Sequence, residues 1–275
     1  MKKIRRLIYQ VAVGKPSKLY EHCIQSVADY CEKYDIEHIV LREPKLRIKP
    51  DVFTDYRSKE SYEKHGGYLP IYEKENAFDL IDNYDQIGII DADIYIRPDS
   101  PNIFTEFGHD NAWGSVSERE MDINEAYIRK IQNYSHMQYA SLHGRLCDFQ
   151  PKQSGRQAFI PSLQRGYEFF NMGMILINCQ LFKPYLKGQN ANDFLMRAEF
   201  KDFVDGKGAW KWSTDQTLLN YFLKRYKIPT KHMDGKWNGL YTAVNNIKDC
   251  HFVHFFLKDK LPSSGENIEE LMKTI

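Results

Sequence analysis

Cysteine is scarce in this 275-residue chain, and the little there is forms no pattern. The five residues Cys23, Cys31, Cys147, Cys179 and Cys250 are odd in number and scattered. No C-x-x-C pair occurs, which excludes a zinc ribbon and a thioredoxin-like motif. Cys23 and Cys179 fall within apolar patterns and read as small core hydrophobes, in keeping with a reducing, cytoplasmic setting. Excess charge is also missing: 38 basic residues against 37 acidic ones leave a formal net charge of +1. With neither a global field nor a basic stripe, nucleic acid and acidic membranes are not expected partners. No apolar run approaches the length of a transmembrane span. The start, "MKKIRRLIYQVAVGKP", is basic, but Gln10 interrupts its short apolar run, so it reads as a strand rather than a signal peptide. Internal repeats and strong linkers are absent too, and one domain over residues 1–275 is expected.

What is present is an ordinary globular composition, 42% hydrophobic and 27% charged, in a chain long enough to bury a sizeable core. The aromatic share of 14%, with 18 Tyr and 16 Phe, suits either a ring-rich core or a stacking cleft, and composition alone favours the core. "RRLIYQVAVG" (5–14) reads as a buried strand. "SKLYEHCIQSVADYCEKYD" follows as a helix capped by Ser17, with Leu19, Cys23, Val27 and Tyr30 at helical spacing. "IEHIVLRE" (36–43) is the next strand. Strand, helix and strand with short links indicate a parallel α/β sheet. Residues 44–67 are charged, aperiodic and expected to form a surface excursion. A helix over 69–84, a strand over 86–91, an irregular stretch over 115–168, a helix over 213–226 and a strand-like run over 249–256 complete the outline. A short capped helix closes it, within "SSGENIEELMKTI".

The strand "QIGII" runs straight into "DAD" (91–93). Asp-x-Asp alone is weak, but the C-terminal end of a strand is where open α/β sheets hold ligands. Alternation puts Asp91 and Asp93 on one side, where they repel each other unless a cation lies between them. A solvated turn is the bland alternative. His251 and His254 sit in the apolar run "CHFVHFF", where a histidine is either a satisfied core residue or a ligand. "FFNMGMILINC" (169–179) places Asn171 and Gly173 inside an otherwise apolar strand.

Taken in order, "EKENAFDLIDNYDQIGIIDADIYI", "FNMGMILIN", "STDQTLLN" and "HFFLKDKLP" resemble the motifs of a GT-A glycosyltransferase, most similar to the glycogenin-like and bacterial lipopolysaccharide galactosyltransferase group. That family shows a Lys-bearing helix before "DAD", then F-N-x-G-x-x-x-x-N, D-Q-x-x-L-N and H-F-x-G-x-x-K-P-W. The chain departs at Leu257, where the family has Gly, and at Leu261-Pro262, where it has Pro-Trp. The resemblance implies a single Rossmann-like GT-A domain with a mostly parallel central sheet flanked by helices. Residues 1–114 would bind the nucleotide sugar and 115–275 would form the acceptor side.

The resemblance further implies that Asp93 and His254 ligate a divalent ion, with Asp91 ligating it too or holding ribose and metal-bound water. Mn²⁺ is expected, with Mg²⁺ the alternative, since mixed carboxylate and imidazole ligation suits Mn²⁺ better. Lys260 would contact the diphosphate, Val11 and Val13 the base, and Lys74, Asp91, Ala92, Asn171 and Glu168 the rest of the donor. Asp215 and Gln216 would stand at the anomeric carbon; the bland alternative for Asp215 is the helix dipole. Trp237 and Asn238 could shape the acceptor cleft, or Trp237 could be a core ring. The implied activity moves a sugar from a nucleoside diphosphate sugar, UDP-linked, to a glycan, lipid or protein acceptor, and the resemblance leans towards retention of configuration. A non-catalytic nucleotide-sugar-binding module of the same fold is the alternative.

Overall fold

The computed structural model describes residues 3–49, 63, 65–124, 126–127, 129–130, 169–206 and 214–275. Strand β1 (Arg6–Val11) is buried through its four middle residues. Helix α1 (Lys18–Tyr34) begins where Ser17 Oγ accepts the Tyr20 N–H, and ends at Asp35 in the left-handed conformation. Its buried face carries Leu19, Cys23, Val27 and Tyr30, the residues whose spacing predicts it. Strand β2 (Glu37–Leu41) then pairs in parallel with β1.

The helix expected over 69–84 is instead a 3₁₀ helix, Pro70–Leu80. Most of its middle is buried, Tyr72, Glu73 and Glu75 to Phe78, so burial there follows no single helical face. Glu73 helps to fix it by accepting the backbone N–H groups of Lys45, Leu46 and Arg47. These bonds, with Ile48 buried beside them, tie down the start of the expected surface excursion; residues 51–62 lie outside the described ones.

Strand β3 (Gln86–Ile90) is buried throughout and parallel to β1. After it come β4 (Ile94–Ile96), β5 (Trp113–Ser117), β6 (Phe170–Asn178), β7 (Thr230–His232), β8 (Gly239–Leu240) and β9 (Phe252–His254). The six-stranded sheet has the order β2-β1-β3-β6-β5-β7. Only β6 runs against its neighbours; every other pairing in this sheet is parallel. The mostly parallel α/β architecture expected from the sequence is therefore present. β5 opens the stretch expected to be irregular. Its sequence, WGSVS, mixes small polar residues with two apolar ones and gives little strand signal.

A smaller sheet, β4-β9-β8, sits beyond the end of β3. Antiparallel pairing of β4 with β9 sets Ile94 opposite His254. Two further α-helices of eight residues or more follow β6 among the described residues: α2 (Cys179–Leu186) and α3 (Asp215–Arg225). Asn220 of α3 clasps the first residue of β6, accepting the Phe170 N–H and donating to the Phe170 carbonyl.

Candidate functional site

Because β6 is inverted, its first residues lie beside the last residues of β3, and the Asp91 N–H donates to the Gly173 carbonyl at 2.8 Å. A cleft of about 670 Å³ opens there. Its walls include Val11, Ala12 and Val13 after β1, Asp91 to Asp93 after β3, Asn171 to Gly173 of β6, Asp215 and Gln216 of α3, and His254 and Lys258. The sequence-predicted Val11, Val13, Lys74, Asp91, Ala92, Asp93, Asn171, Asp215, Gln216 and His254 thus share one cleft. Glu168 lies outside the described residues. Lys260 is exposed in a 3₁₀ turn and is absent from the cleft wall, which carries Lys258 instead.

The two acids and the imidazole are brought together by the small sheet. The Phe255 N–H donates to the Asp93 carbonyl at 2.9 Å, which holds the end of β9 against the "DAD" turn. His254 Nε2 lies 3.3 Å from Asp93 Oδ1 and 4.0 Å from Asp91 Oδ2. Ligand atoms of Asp91, Asp93 and His254 all fall within 4.8 Å of one another. Burial disfavours a charged His254, but Asp93 and then Asp91 outweigh it and raise the imidazole pKa. Burial also pushes Asp93 upwards, yet His254 reverses the effect and its pKa is lowered. Asp91 is raised, chiefly by burial, with Lys74 opposing. Two carboxylates and one imidazole nitrogen, crowded and only partly compensated, form a donor set suited to a divalent cation with mixed oxygen and nitrogen ligands.

Lys74 donates hydrogen bonds to Asp91 Oδ1 and to the Met172 carbonyl, each at 3.0 Å, and forms an ion pair with Asp215 Oδ2 at 2.6 Å. Burial opposes its charge, but Asp215 and Asp91 outweigh this and hold its pKa above the usual value. Lys74 therefore joins the "DAD" turn to the start of α3 and orients one oxygen of each acid. Gln216 accepts the Met172 N–H at 3.4 Å.

Asn171 is almost fully buried and heavily bonded. Its Oδ1 accepts the Gly173 N–H at 3.0 Å and the Asn238 amide at 2.8 Å, while its own amide donates to Glu118 Oε1 at 3.0 Å. Asn238 stands behind the cleft and bonds His254 Nδ1 at 3.0 Å. Trp237 is a core ring, 1% exposed, with its indole N–H donating to Glu106 at 2.7 Å. Gly173 leaves room for the imidazole of His254.

Three residues that the sequence reading did not single out belong to this site. Glu118, 2% exposed, follows β5; burial pushes its carboxyl up to about 7 against the opposing Asn171 bond, and its Oε2 has no hydrogen-bond partner among the described residues. Tyr20 of α1 hydrogen-bonds Asp93, whose charge, followed by burial, raises the phenol pKa. Lys258 places its ammonium 3.7 Å over the Tyr20 ring. In sequence, Glu118 falls within the stretch expected to be irregular and Tyr20 within the helix after Ser17, and no motif marks either. Lys258 shares its turn with Lys260, and only the fold separates the two.

No protein-family model matches this sequence, and no curated protein matches it. Solved structures do match in shape. One, a glycosyltransferase involved in the glycosylation of the major capsid of PBCV-1, shares 12% identity with a TM-score of 0.50, over 98% of this chain and 99% of that one. The galactosyltransferase LgtC, in complex with donor and acceptor sugar analogs, shares 12% identity with a TM-score of 0.53, over 97% of this chain and 94% of its own. At such identity the likeness establishes the fold, and that fold is GT-A.

Proposed function

With the GT-A fold as the premise, we propose that this chain is a divalent-metal-dependent glycosyltransferase. Its donor is a nucleoside diphosphate sugar, UDP-linked, its acceptor a glycan, lipid or protein, and its setting the cytoplasm. The observation that carries this reading is the convergence of Asp91, Asp93 and His254 at the end of β3, inside a cleft of about 670 Å³. No helix among those residues is long and apolar enough to cross a membrane.

Asp91, Asp93 and His254 would hold Mn²⁺, or Mg²⁺. Such an ion supplies positive charge to a departing diphosphate, whose negative charge grows as the glycosidic bond breaks. The side chains do the rest. Lys258, at the cleft wall, offers a second cation to the diphosphate, a task that Lys260 could share only by movement of its turn. Val11 and Val13 border the place for the base, with Ala92 small enough to let the donor approach the turn. Lys74 fixes Asp91 and Asp215, so that Asp215 and Gln216 face the cleft at the start of α3 and orient donor and acceptor at the anomeric carbon. Asn171, held on both sides, and Glu168 complete the donor contacts.

The test is donor hydrolysis and transfer with and without metal. Asp93→Asn is expected to abolish Mn²⁺-dependent release of UDP from a UDP-sugar while the protein remains folded. Full activity in EDTA would sink the reading. A thermal-shift screen of nucleotide sugars with Mn²⁺ identifies the donor, because stabilisation grows with ligand concentration over dissociation constant.

A further inference from the structure

We propose that Asn238 is a positioning residue that fixes the tautomer of His254, and that the backbone N–H of Gly173 sets its orientation. The argument starts from the one group in the network that cannot be turned round. A backbone N–H only donates, so the atom 3.0 Å from the Gly173 nitrogen is the Asn171 oxygen and not its amide nitrogen. At the other end of the same side chain, the Asn171 amide meets Glu118 Oε1 at 3.0 Å, as that orientation requires. The Asn238 atom 2.8 Å from the Asn171 oxygen must then be a donor, its own amide nitrogen. That leaves the Asn238 oxygen 3.0 Å from His254 Nδ1, and the ring nitrogen there must carry hydrogen.

The consequence lies on the opposite side of the ring. With Nδ1 committed as a donor, the neutral imidazole keeps its lone pair on Nε2, the atom that faces Asp91 and Asp93. Four groups on two strands and one 3₁₀ turn, all buried, thus hold one nitrogen ready to bind a cation. Gly173 acts twice: its N–H orients the relay, and its missing β-carbon admits the ring that the relay aligns. Support of this kind behind a ligating histidine typically changes metal affinity by about 10–100-fold when lost. The part of this inference that concerns metal rests on the proposed function; the tautomer does not.

The experiment has two readouts that need no turnover. Long-range ¹⁵N–¹H correlation spectra of the metal-free protein, followed upwards in pH until the ring is neutral, should show His254 with hydrogen on Nδ1. A neutral ring with hydrogen on Nε2 overturns the proposal. Mn²⁺ affinity, followed by electron paramagnetic resonance, should fall roughly tenfold or more in Asn238→Leu, which has no acceptor for Nδ1. Asn238→Asp keeps an acceptor for Nδ1 but loses the amide that donates to Asn171, so it should weaken Mn²⁺ binding measurably less than Asn238→Leu. Equal loss in both variants, or loss in neither, overturns the positioning role. Should the parent protein bind no Mn²⁺, the proposed function fails, while the spectrum still decides the tautomer.

Discussion

Gly173 lies directly beneath the imidazole of His254. A β-carbon on residue 173 would stand 2.5 Å from Cε1 and 2.7 Å from Nδ1 of that ring. The absent side chain on β6 is therefore part of the geometry of a residue on β9.

Gly173→Ala should accordingly displace His254 from its bonds to Asn238 and Asp93. Over-packing of this kind costs about 1–3 kcal/mol, to be read from urea denaturation in EDTA, and Mn²⁺ affinity should fall with it. An unchanged denaturation midpoint together with unchanged affinity would show that the ring has room to spare.

Glu118 predicts a pH dependence. Its folded-state pKa, about 7, lies above the ordinary 4.5, so the folded protein binds this proton more tightly than the unfolded chain. Stability from this group is complete below the unfolded value and is lost as pH rises through the folded one, a cost of about 3 kcal/mol by alkaline pH. Glu118→Gln removes the titration. In EDTA, its midpoint should exceed that of the parent by more at about pH 8 than at about pH 5. Thermal denaturation across that range checks this, and an equal difference at both values contradicts it.

Lys74→Met should be severe. It strips the cation from two acids, one of them 4% exposed, and breaking a buried pair by removing one partner costs about 3–5 kcal/mol. Asp215→Asn in the same background should restore part of that loss in chemical denaturation. No recovery would mean that the damage comes from lost packing around the lysine stem.

Leu257 has φ 57°, in the left-handed region that costs an L-residue with a side chain about 1–2 kcal/mol. Leu257→Gly relieves this strain but frees the unfolded chain, so its stability should lie near or slightly above that of the parent. A β-branched side chain fits the region worse still, and Leu257→Val should be the less stable of the pair by about 1 kcal/mol or more. Equal stability of the two variants would contradict the strained backbone.

The features of strong period were legible in the sequence. α1, β3, β6 and α3 carry apolar runs or helical spacing, and they form where that pattern puts them, within a few residues. "DAD", Asn171, Asp215 and His254 were found through short motifs and do converge on one cleft. Contacts made across the fold were not legible. Nothing near Glu118 or Asn238 announces that the two meet around Asn171, because residue 118 follows β5 while residue 238 belongs to a turn before β8. The same limit applies to Lys260, expected at the diphosphate from the motif, whereas the turn faces its neighbour Lys258 towards Tyr20 and Lys260 outwards. Leu257 shows the converse: the backbone conformation that a glycine would announce is adopted by a residue that hides it.

The pairing of β4 with β9 also has a bearing on synthesis. A nascent chain makes Asp91 and Asp93 early, at about 5–20 residues per second. The residues that clasp them, from the Arg97 guanidinium on the Cys250 carbonyl to the Phe255 N–H on Asp93, require chain from near the other end. On the ribosome the two acids must wait, facing each other without their imidazole, until β9 has emerged. A message cut short before that point would yield most of the large sheet and none of the cluster. The emergence of β9 thus licenses the site.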